Sequence, residues 1–196
     1  MRIIAGTARG RRLFSPGSGT SDIRPTSDRA REALFSILAD RVCEARVLDL
    51  FAGTGAHGLE ALSRGAASAL FVDQGKSALA LLHKNIQLCG FWEQSVVLKR
   101  DLTRSLSFLQ PCAPAGGFTL VFIDPPYKSQ QAERIIRELG RVEVVSPGGM
   151  LVAEASAADR LPEAVSLFSL VDRRSYGEAG FWFYLQGEGQ EPGVRR

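Results

Sequence analysis

The segment ARVLDLFAGTGAHGLEALSRG, residues 45–65, contains the transition that decides the fold. Its first seven residues are mostly apolar, which is typical of a buried strand. A glycine-rich turn follows, and the residues after it have the composition of a helix that ends at Gly65. A buried strand that leads through glycines into a helix is the first unit of many parallel sheets. The rest of the chain should therefore alternate strands and helices.

The remaining segments do alternate in this way. Helical patterns cover residues 76–90 and 130–142. The strand-like apolar runs are residues 68–73, 95–100, 118–124, 149–155, 168–177 and 180–186. We therefore predict an α/β fold with a doubly wound, mostly parallel, seven-stranded sheet and helices on both faces. The last two runs are closely joined, so one strand of the sheet is expected to be antiparallel.

A basic segment precedes this pattern. Residues 1–14 suggest a short hairpin, and a helix is predicted after Pro25. The apolar face of that helix is expected to contain Ala30, Ala33, Leu34, Ile37 and Leu38. We expect an N-terminal basic hairpin, loop and helix over residues 1–40, a main domain over 41–187 and a frayed tail over 188–196.

The composition limits the function. The chain has 196 residues and is 45% hydrophobic, which suits one domain with a sizeable core. It has no apolar run long enough to span a membrane and no secretory signal, so we expect a cytoplasmic protein. The three cysteines are widely spaced and the two histidines are not near them, so no metal site is expected. His57 is interpreted as a surface residue of its helix.

The glycine motif predicts a cofactor site. Gly53, Gly55 and Gly58 satisfy the pattern G-x-G-x-x-G, and Asp73 ends the next strand twenty residues after Gly53. Glycines let the backbone approach a ligand, the helix N-terminus attracts an anionic group, and the acid can bond a ribose diol. NAD and S-adenosylmethionine (SAM) both satisfy these requirements. The motif alone therefore predicts an adenosine-containing cofactor.

Two further acids favour SAM over NAD. Asp49 lies inside the first strand, where an acid is costly unless it has a partner. The α-ammonium group of SAM would be such a partner, and NAD has no equivalent cation. Asp101 ends the third strand, where it could accept a hydrogen bond from the adenine amino group. The alternatives are a core hydrogen bond for Asp49 and a helix cap for Asp101.

The segment FIDPPYKS, residues 122–129, predicts the chemistry. Proline cannot continue a strand ladder, so the strand stops at Asp124. Asp124 and the carbonyl of Pro125 can accept the two N–H groups of an exocyclic base amine, which directs its nitrogen lone pair toward a methyl donor. Tyr127 can stack on the base. Either Asp124 or water then takes the proton, and no metal is needed; a helix-initiating turn is the alternative interpretation.

These motifs resemble those of a known enzyme family. FAGTG followed by DPPY is similar to the SAM-dependent amino-methyltransferases. With RIIAGTARGRRL (2–13) and RPTSDRAREALF (24–35), the chain more specifically resembles the bacterial 16S ribosomal RNA guanine-N2 methyltransferases, often called the RsmD family. The resemblance covers nearly the whole chain. It implies the class I, Rossmann-like methyltransferase fold and methylation of the 2-amino group of one guanine in a small ribosomal subunit that is assembled or nearly so. We expect a monomer.

The motifs contain three sets of candidate residues. The predicted cofactor-binding residues are Asp49, Phe51, Gly53, Thr54, Gly55, Asp73, Asp101 and Leu102. The predicted catalytic residues are Asp124, Pro125 and Tyr127. The net charge is +3 and arginines are concentrated near the N-terminus, either as a solvated basic edge or as groups that grip phosphates. The predicted RNA-binding residues are Arg2, Arg9, Arg11, Arg12, Arg24, Arg29, Arg31 and Lys128.

Three other functions stay open at this point. An amino-methyltransferase acting on DNA adenine or cytosine would use the same DPPY segment, but such enzymes usually carry a larger recognition domain. An NAD-dependent oxidoreductase would need an acid for hydride transfer, and none is convincing. A non-catalytic RNA-binding assembly factor would not need Asp124.

Overall fold

The computed structural model describes residues 1–16, 28–125 and 131–187. The strands are β1 (Arg46–Leu50), β2 (Ser68–Asp73), β3 (Ser95–Lys99), β4 (Phe118–Ile123), β5 (Val145–Ser156), β6 (Ala164–Val165), β7 (Phe168–Tyr176) and β8 (Ala179–Gln186). The α-helices are α1 (Asp28–Leu38), α2 (Ala56–Ser63), α3 (Lys76–Cys89) and α4 (Gln131–Val142). Short 3-10 helices cover Ala39–Arg41 and Ser107–Cys112.

The strands form one sheet in the order β3-β2-β1-β4-β5-β8-β7-β6. Strands β1 to β5 pair with one another in parallel, β8 is antiparallel to β5, and β7 is antiparallel to β8. The predicted α/β fold with a mainly parallel sheet is therefore confirmed. The described sheet has eight strands rather than the predicted seven. The additional strand, β6, has only 2 residues and is too short to produce an apolar run.

Apolar side chains on the two faces of the sheet form two cores. One core includes the N-terminal hairpin, α1, α2 and α3, and the other includes α4 and the second 3-10 helix. Successive strand residues point to opposite faces, so Phe122 belongs to the first core and Ile123 to the second. The same alternation places Asp124 on the face of Phe122, beneath α1 and α2.

The predicted N-terminal hairpin is present and is hydrogen-bonded to α2. Arg2 and Arg12 form an antiparallel bridge. Glu60 of α2 is fully buried and accepts hydrogen bonds from the amides of Ile4 at 2.7 Å and Ala5 at 3.1 Å. The hairpin is therefore held by the helix that follows the glycine loop.

Helix α1 buries a different face from the predicted one. Its buried residues are Ala30, Arg31, Leu34, Phe35 and Leu38. Ile37 is exposed and Ala33 is half-buried. The guanidinium of Arg31 bonds Asp28 at 3.0 Å and lies 3.9 Å from Glu60. Because Glu60 supplies a buried anion on the neighbouring helix, α1 turns a charged residue inward in place of Ile37.

Some predictions lie outside the described residues. These are the roles of Arg24, Tyr127 and Lys128 and the tail over 188–196. Among the residues that are described, no helix has the length and apolar character that crossing a bilayer requires.

Candidate active site

Acidic side chains lie at the carboxyl ends of neighbouring strands. Asp49 is in β1, Asp73 ends β2, Asp124 follows β4, and Glu154 is near the end of β5. The parallel register that pairs the last residue of β4 with Ala153 makes Asp124 and Glu154 neighbours across the two strands. The sheet order runs in opposite directions from β1 and β4, and ligands bind at such a switch point in open α/β sheets.

The glycine loop brings the N-terminus of α2 to this crevice. Gly55 has φ +82°, and a Cβ atom there would lie 2.4 Å from Leu82. A Cβ atom on Gly58 would lie 2.3 Å from the ring of Phe71. The amide of Gly58 donates to Asp49 Oδ2 at 2.9 Å. A side chain at Gly55 would collide with α3 and one at Gly58 would collide with β2, so both positions are closely packed.

Asp73 fixes the glycine loop. Its two carboxylate oxygens accept hydrogen bonds from the amides of Gly53 at 2.8 Å and Gly75 at 2.7 Å. Each carboxylate oxygen has a second lone pair, so these bonds leave capacity for a ribose hydroxyl. The role of Asp73 toward a ribose stays a prediction.

Asn85 of α3 is a buried residue that the sequence analysis missed. Its side-chain NH₂ donates to the carbonyls of Thr54 at 2.9 Å and Phe14 at 3.0 Å, and its carbonyl accepts from the Phe14 amide at 2.7 Å. Thr54 is itself buried in the glycine loop. Asn85 therefore joins the N-terminal segment to the predicted cofactor loop. The available signal was a polar residue three positions after Leu82, on the apolar face of α3.

Asp49 is a buried carboxyl group, only 1% exposed. Burial raises the pKa of Asp49 from 3.8 to about 7, the negative charge of Asp73 adds to the rise, and the Gly58 hydrogen bond opposes it. A cation bound beside Asp49 would favour its ionised form. The position therefore suits the α-ammonium group of SAM.

Three other predicted cofactor residues, Asp101, Leu102 and Phe51, make contacts within the protein itself. Asp101 accepts hydrogen bonds from the hydroxyl of Thr103 at 2.7 Å and its amide at 2.9 Å, and these bonds lower the pKa of Asp101. These bonds close a turn, and no helix of the described residues begins at Asp101, so the helix cap that the sequence analysis left as an alternative is not formed. Leu102 is buried in the second core, and Phe51 packs against that core with φ +61°. Contacts of these three residues with adenosine stay predictions.

Asp124 occupies the end of β4 as a half-buried acid, followed by the buried Pro125. The amide of Asp124 donates to the carbonyl of Leu50 at 3.4 Å. Burial raises the pKa of Asp124 well above its ordinary value, and the negative charges of Glu154 and Asp49 raise it further. A carboxyl group whose pKa is raised in this way accepts a proton more readily than an exposed one.

His57 lies inside the crevice, so its interpretation as a surface residue is wrong. It is 6% exposed, and its ring stacks on Phe122 with centroids 5.1 Å apart and planes at 17°. Burial lowers the pKa of His57 to about 3, with a contribution from the positive charge of Arg31, so the imidazole is neutral. His57 is buried because its ring stacks on Phe122 of the sheet and because Leu34 of α1 lines the same space. Its Nε2 has no hydrogen-bond partner within the described part of the chain.

Glu154 completes the crevice and was also missed. It is 2% exposed, and its Oε2 is 3.9 Å from His57 Nε2. His57, Asp124 and Glu154, here called the acid–imidazole cluster, each bring one oxygen or nitrogen atom to within 4.8 Å of the others. The cluster faces a small, closely packed space whose remaining walls are Leu34, Phe122, Ile123, Val152 and Phe181. The space is narrow in this conformation, so a base can enter only if side chains around it move.

The predicted RNA-binding arginines divide into two groups. Those on the surface are Arg2, Arg9, Arg11, Arg12 and Arg29. Arg31 is fully buried between Asp28 and Glu60 and cannot reach a phosphate, so the structure corrects its predicted role. The charge of Arg31 is used to pack α1 on α2.

Comparison with protein families and with known proteins identifies relatives. The family model described as "Conserved hypothetical protein 95" matches residues 1–185. The chain belongs to this family. The "Ribosomal RNA small subunit methyltransferase D" of Escherichia coli strain K12 is 35% identical over 192 residues, which cover 96% of this chain and 92% of that protein. The Haemophilus influenzae protein with the same name is 37% identical over 156 residues, 79% of this chain and 78% of that one.

Solved structures are similar over most of the chain. A hypothetical protein of Thermus thermophilus has a TM-score of 0.75 and 34% identity, with 93% of this chain and 98% of that chain covered. An RNA methyltransferase from Salinibacter ruber, solved with S-adenosyl-L-homocysteine, has a TM-score of 0.59 at 15% identity and covers 88% of this chain and 99% of that one. The second likeness shows the fold alone. The fold is that of the SAM-dependent methyltransferases, as predicted.

Proposed function

We propose that this chain is a cytoplasmic SAM-dependent methyltransferase that modifies the 2-amino group of one guanine in 16S rRNA of the small ribosomal subunit. The observation that carries the proposal is the position of Asp124. This amine-accepting group lies in the same crevice as the buried Asp49 and the glycine loop. The two named relatives are small-subunit rRNA methyltransferases, which supports rRNA as the substrate.

S-adenosylmethionine is the cofactor, and the residues present fit it. The buried carboxyl of Asp49 matches the α-ammonium group, and Gly53 and Gly55 allow close approach of the backbone. Asp73 would accept from the ribose hydroxyls while it holds the loop through the Gly53 amide. When bound, SAM supplies an electrophilic methyl group on a positively charged sulfur.

Asp124 and Pro125 orient the acceptor. The lone pair of a guanine 2-amino group is delocalised into the ring, so the amine is a weak nucleophile. The Asp124 carboxyl accepts one N–H and the Pro125 carbonyl accepts the other, which fixes the nitrogen relative to the methyl donor. The raised pKa of Asp124 allows it to take up the proton that the amine releases. Tyr127, outside the described residues, is assigned the stacking role that its place in the motif implies.

The exposed arginines of the hairpin are assigned to RNA binding. Arg9, Arg11 and Arg12 are exposed on a segment that hydrogen bonds from Ile4 and Ala5 attach to α2. Guanidinium groups are well suited to phosphate oxygens, and such contacts position a nucleic acid without reading its sequence. The hairpin would therefore supply affinity while the crevice supplies chemistry.

The test is a methyl-transfer assay with labelled SAM. The acceptors are small ribosomal particles from cells that lack the activity, free 16S rRNA, and DNA. We expect label in the rRNA of the particles and none in DNA. Asp124→Ala should lower the rate by at least about 100-fold while SAM affinity changes less than about twofold. Asp40→Asn, a change of an exposed acid outside the crevice, serves as the control. Methylation of DNA, or an Asp124→Ala variant with full activity, would contradict the proposal.

A further inference from the structure

The acid–imidazole cluster contains two groups that the proposed reaction does not use. Asp124 accepts the amine, whereas Glu154 and His57 have no assigned role. Both are almost completely buried, at 2% and 6% exposure. Buried polar groups of this kind are costly unless they serve packing or a ligand.

We propose that Glu154 and His57 read the Watson–Crick edge of the target base and select guanine. The inference rests on the proposed function and deepens it. The edge of guanine presents two donors, the 2-amino group and N1–H, and one acceptor, O6. The acid–imidazole cluster presents the complement, which is two carboxyl acceptors and one imidazole donor. Asp124 accepts from the 2-amino group, Glu154 accepts from N1–H, and His57 Nε2–H donates to O6.

The positions of the two carboxyl groups support this assignment. Asp124 and Glu154 follow residues that are paired between β4 and β5, so they are side by side on one face of the sheet. Two acidic groups this close repel each other, and the negative charge of Glu154 helps to raise the pKa of Asp124. Two adjacent N–H donors of one base would relieve that repulsion. Flipped bases are generally read in this way, by hydrogen bonds to their Watson–Crick edge.

The position of His57 supports the third contact. Its Nε2 is buried, lies 3.9 Å from Glu154 and has no hydrogen-bond partner in the part of the chain that the structure describes. A neutral imidazole has one N–H, and the assignment places it on Nε2. The ring is held nearly parallel to Phe122, so its orientation is fixed before a base arrives. The apolar side chains Leu34, Val152 and Phe181 line the same space and suit the faces of a base.

The arrangement rejects the other amine-bearing bases. Adenine and cytosine each have an exocyclic amine, but the ring nitrogen beside that amine has a lone pair instead of a hydrogen. With the amine on Asp124, this lone pair would face the oxygen of Glu154. Leaving such a buried group without its donor produces strong discrimination.

The experiment compares guanine with 2-aminopurine at the modified position. The base 2-aminopurine keeps the amine that receives the methyl group but has neither N1–H nor O6. After the modified nucleotide has been mapped, 16S rRNA is made by ligation with either base at that position and assembled into particles. The value of kcat/KM is measured for both particles with the wild-type protein, Glu154→Gln and His57→Leu. Glu163→Gln, a change of an exposed acid, is the matched control.

The wild-type protein and the control should prefer guanine by about 10- to 100-fold. Glu154→Gln supplies an amide donor to the N1 lone pair of 2-aminopurine, so its preference should shift toward 2-aminopurine by at least about tenfold. His57→Leu should lower kcat/KM for the guanine particles and leave kcat/KM for the 2-aminopurine particles unchanged. The ratio within one preparation does not depend on how much of a variant is folded. Binding of the 2-aminopurine particles can be measured without cofactor from the fluorescence of that base. Glu154→Gln should bind these particles more tightly than the wild-type protein does.

Two different failures can be distinguished. If the wild-type protein methylates guanine N2 but Glu154→Gln keeps the wild-type ratio, the base-reading inference is overturned and the proposed function stands. If no guanine N2 is methylated in the mapping step, the proposed function itself fails.

Discussion

Replacing Asp49 by Asn should stabilise the protein without cofactor and weaken cofactor binding. Asp49 is buried, and its pKa is raised from 3.8 to about 7. Between these pH values the folded state binds more protons than the unfolded state, so stability falls as pH rises toward 7 and the loss then stays constant. The difference is about three pKa units, and each unit corresponds to about 1.4 kcal/mol. The ionised Asp49 therefore costs up to about 4 kcal/mol above pH 7.

The assay is urea unfolding of the wild type, Asp49→Asn and the exposed control Asp40→Asn at several pH values without SAM. Asn keeps an acceptor for the Gly58 amide and has no charge. At pH 9 Asp49→Asn should be more stable than the wild type by about 2–4 kcal/mol, and at pH 4 the two should agree within about 1 kcal/mol. SAM should bind the variant about 10- to 100-fold more weakly, because the ammonium group loses its carboxylate. A stability difference that does not change with pH would refute the reasoning.

Two further predictions concern the hairpin. Replacing Arg9, Arg11 and Arg12 by Ala should reduce the slope of log affinity for rRNA against log salt by about 2–3, with SAM affinity unchanged, in a filter-binding titration. Replacing Glu60 by Ala should lower the free energy of unfolding by about 3–5 kcal/mol in urea, because it leaves Arg31 and two hairpin amides without their buried partner.

Both predictions have matched controls. Arg141→Ala removes an exposed arginine of α4, on the other side of the sheet, and should change the salt slope by less than about 1. Glu163→Ala removes an exposed acid and should cost less than about 0.5 kcal/mol. An unaltered salt slope in the triple variant would show that the three hairpin arginines do not bind RNA phosphates. A loss below about 1 kcal/mol for Glu60→Ala would show that the buried Glu60 carboxylate does not hold the hairpin and Arg31 in place.

The sequence alone was sufficient to predict the positions of the acids that lie at strand ends. Asp49, Asp73 and Asp124 are in, or directly after, apolar runs, and parallel strands bring their carboxyl ends to one edge. The alternation of strands and helices therefore predicts that these acids meet. Glu154 obeys the same rule, since it interrupts the apolar run GMLVAEA beside Asp124, so its signal was present in the sequence.

The residues that sequence analysis misplaced depend on contacts between helices. Arg31 is buried because Glu60, on another helix, supplies its partner, and no local pattern contains that information. His57 is buried because its side of α2 lies against the sheet and α1. A charged or polar residue near a helix start is most often exposed, and only the packing of α1, α2 and the sheet against one another reverses this expectation.

The central claim is that the crevice directs a guanine amine toward the methyl donor. The most direct measurement is to label small ribosomal particles with isotopic SAM, digest their 16S rRNA to nucleosides and identify the labelled species by mass spectrometry. The account predicts N2-methylguanosine at a single position, and its absence when Asp124→Ala replaces the wild-type protein. Label on a ring carbon, on another nucleoside or on protein would contradict the account.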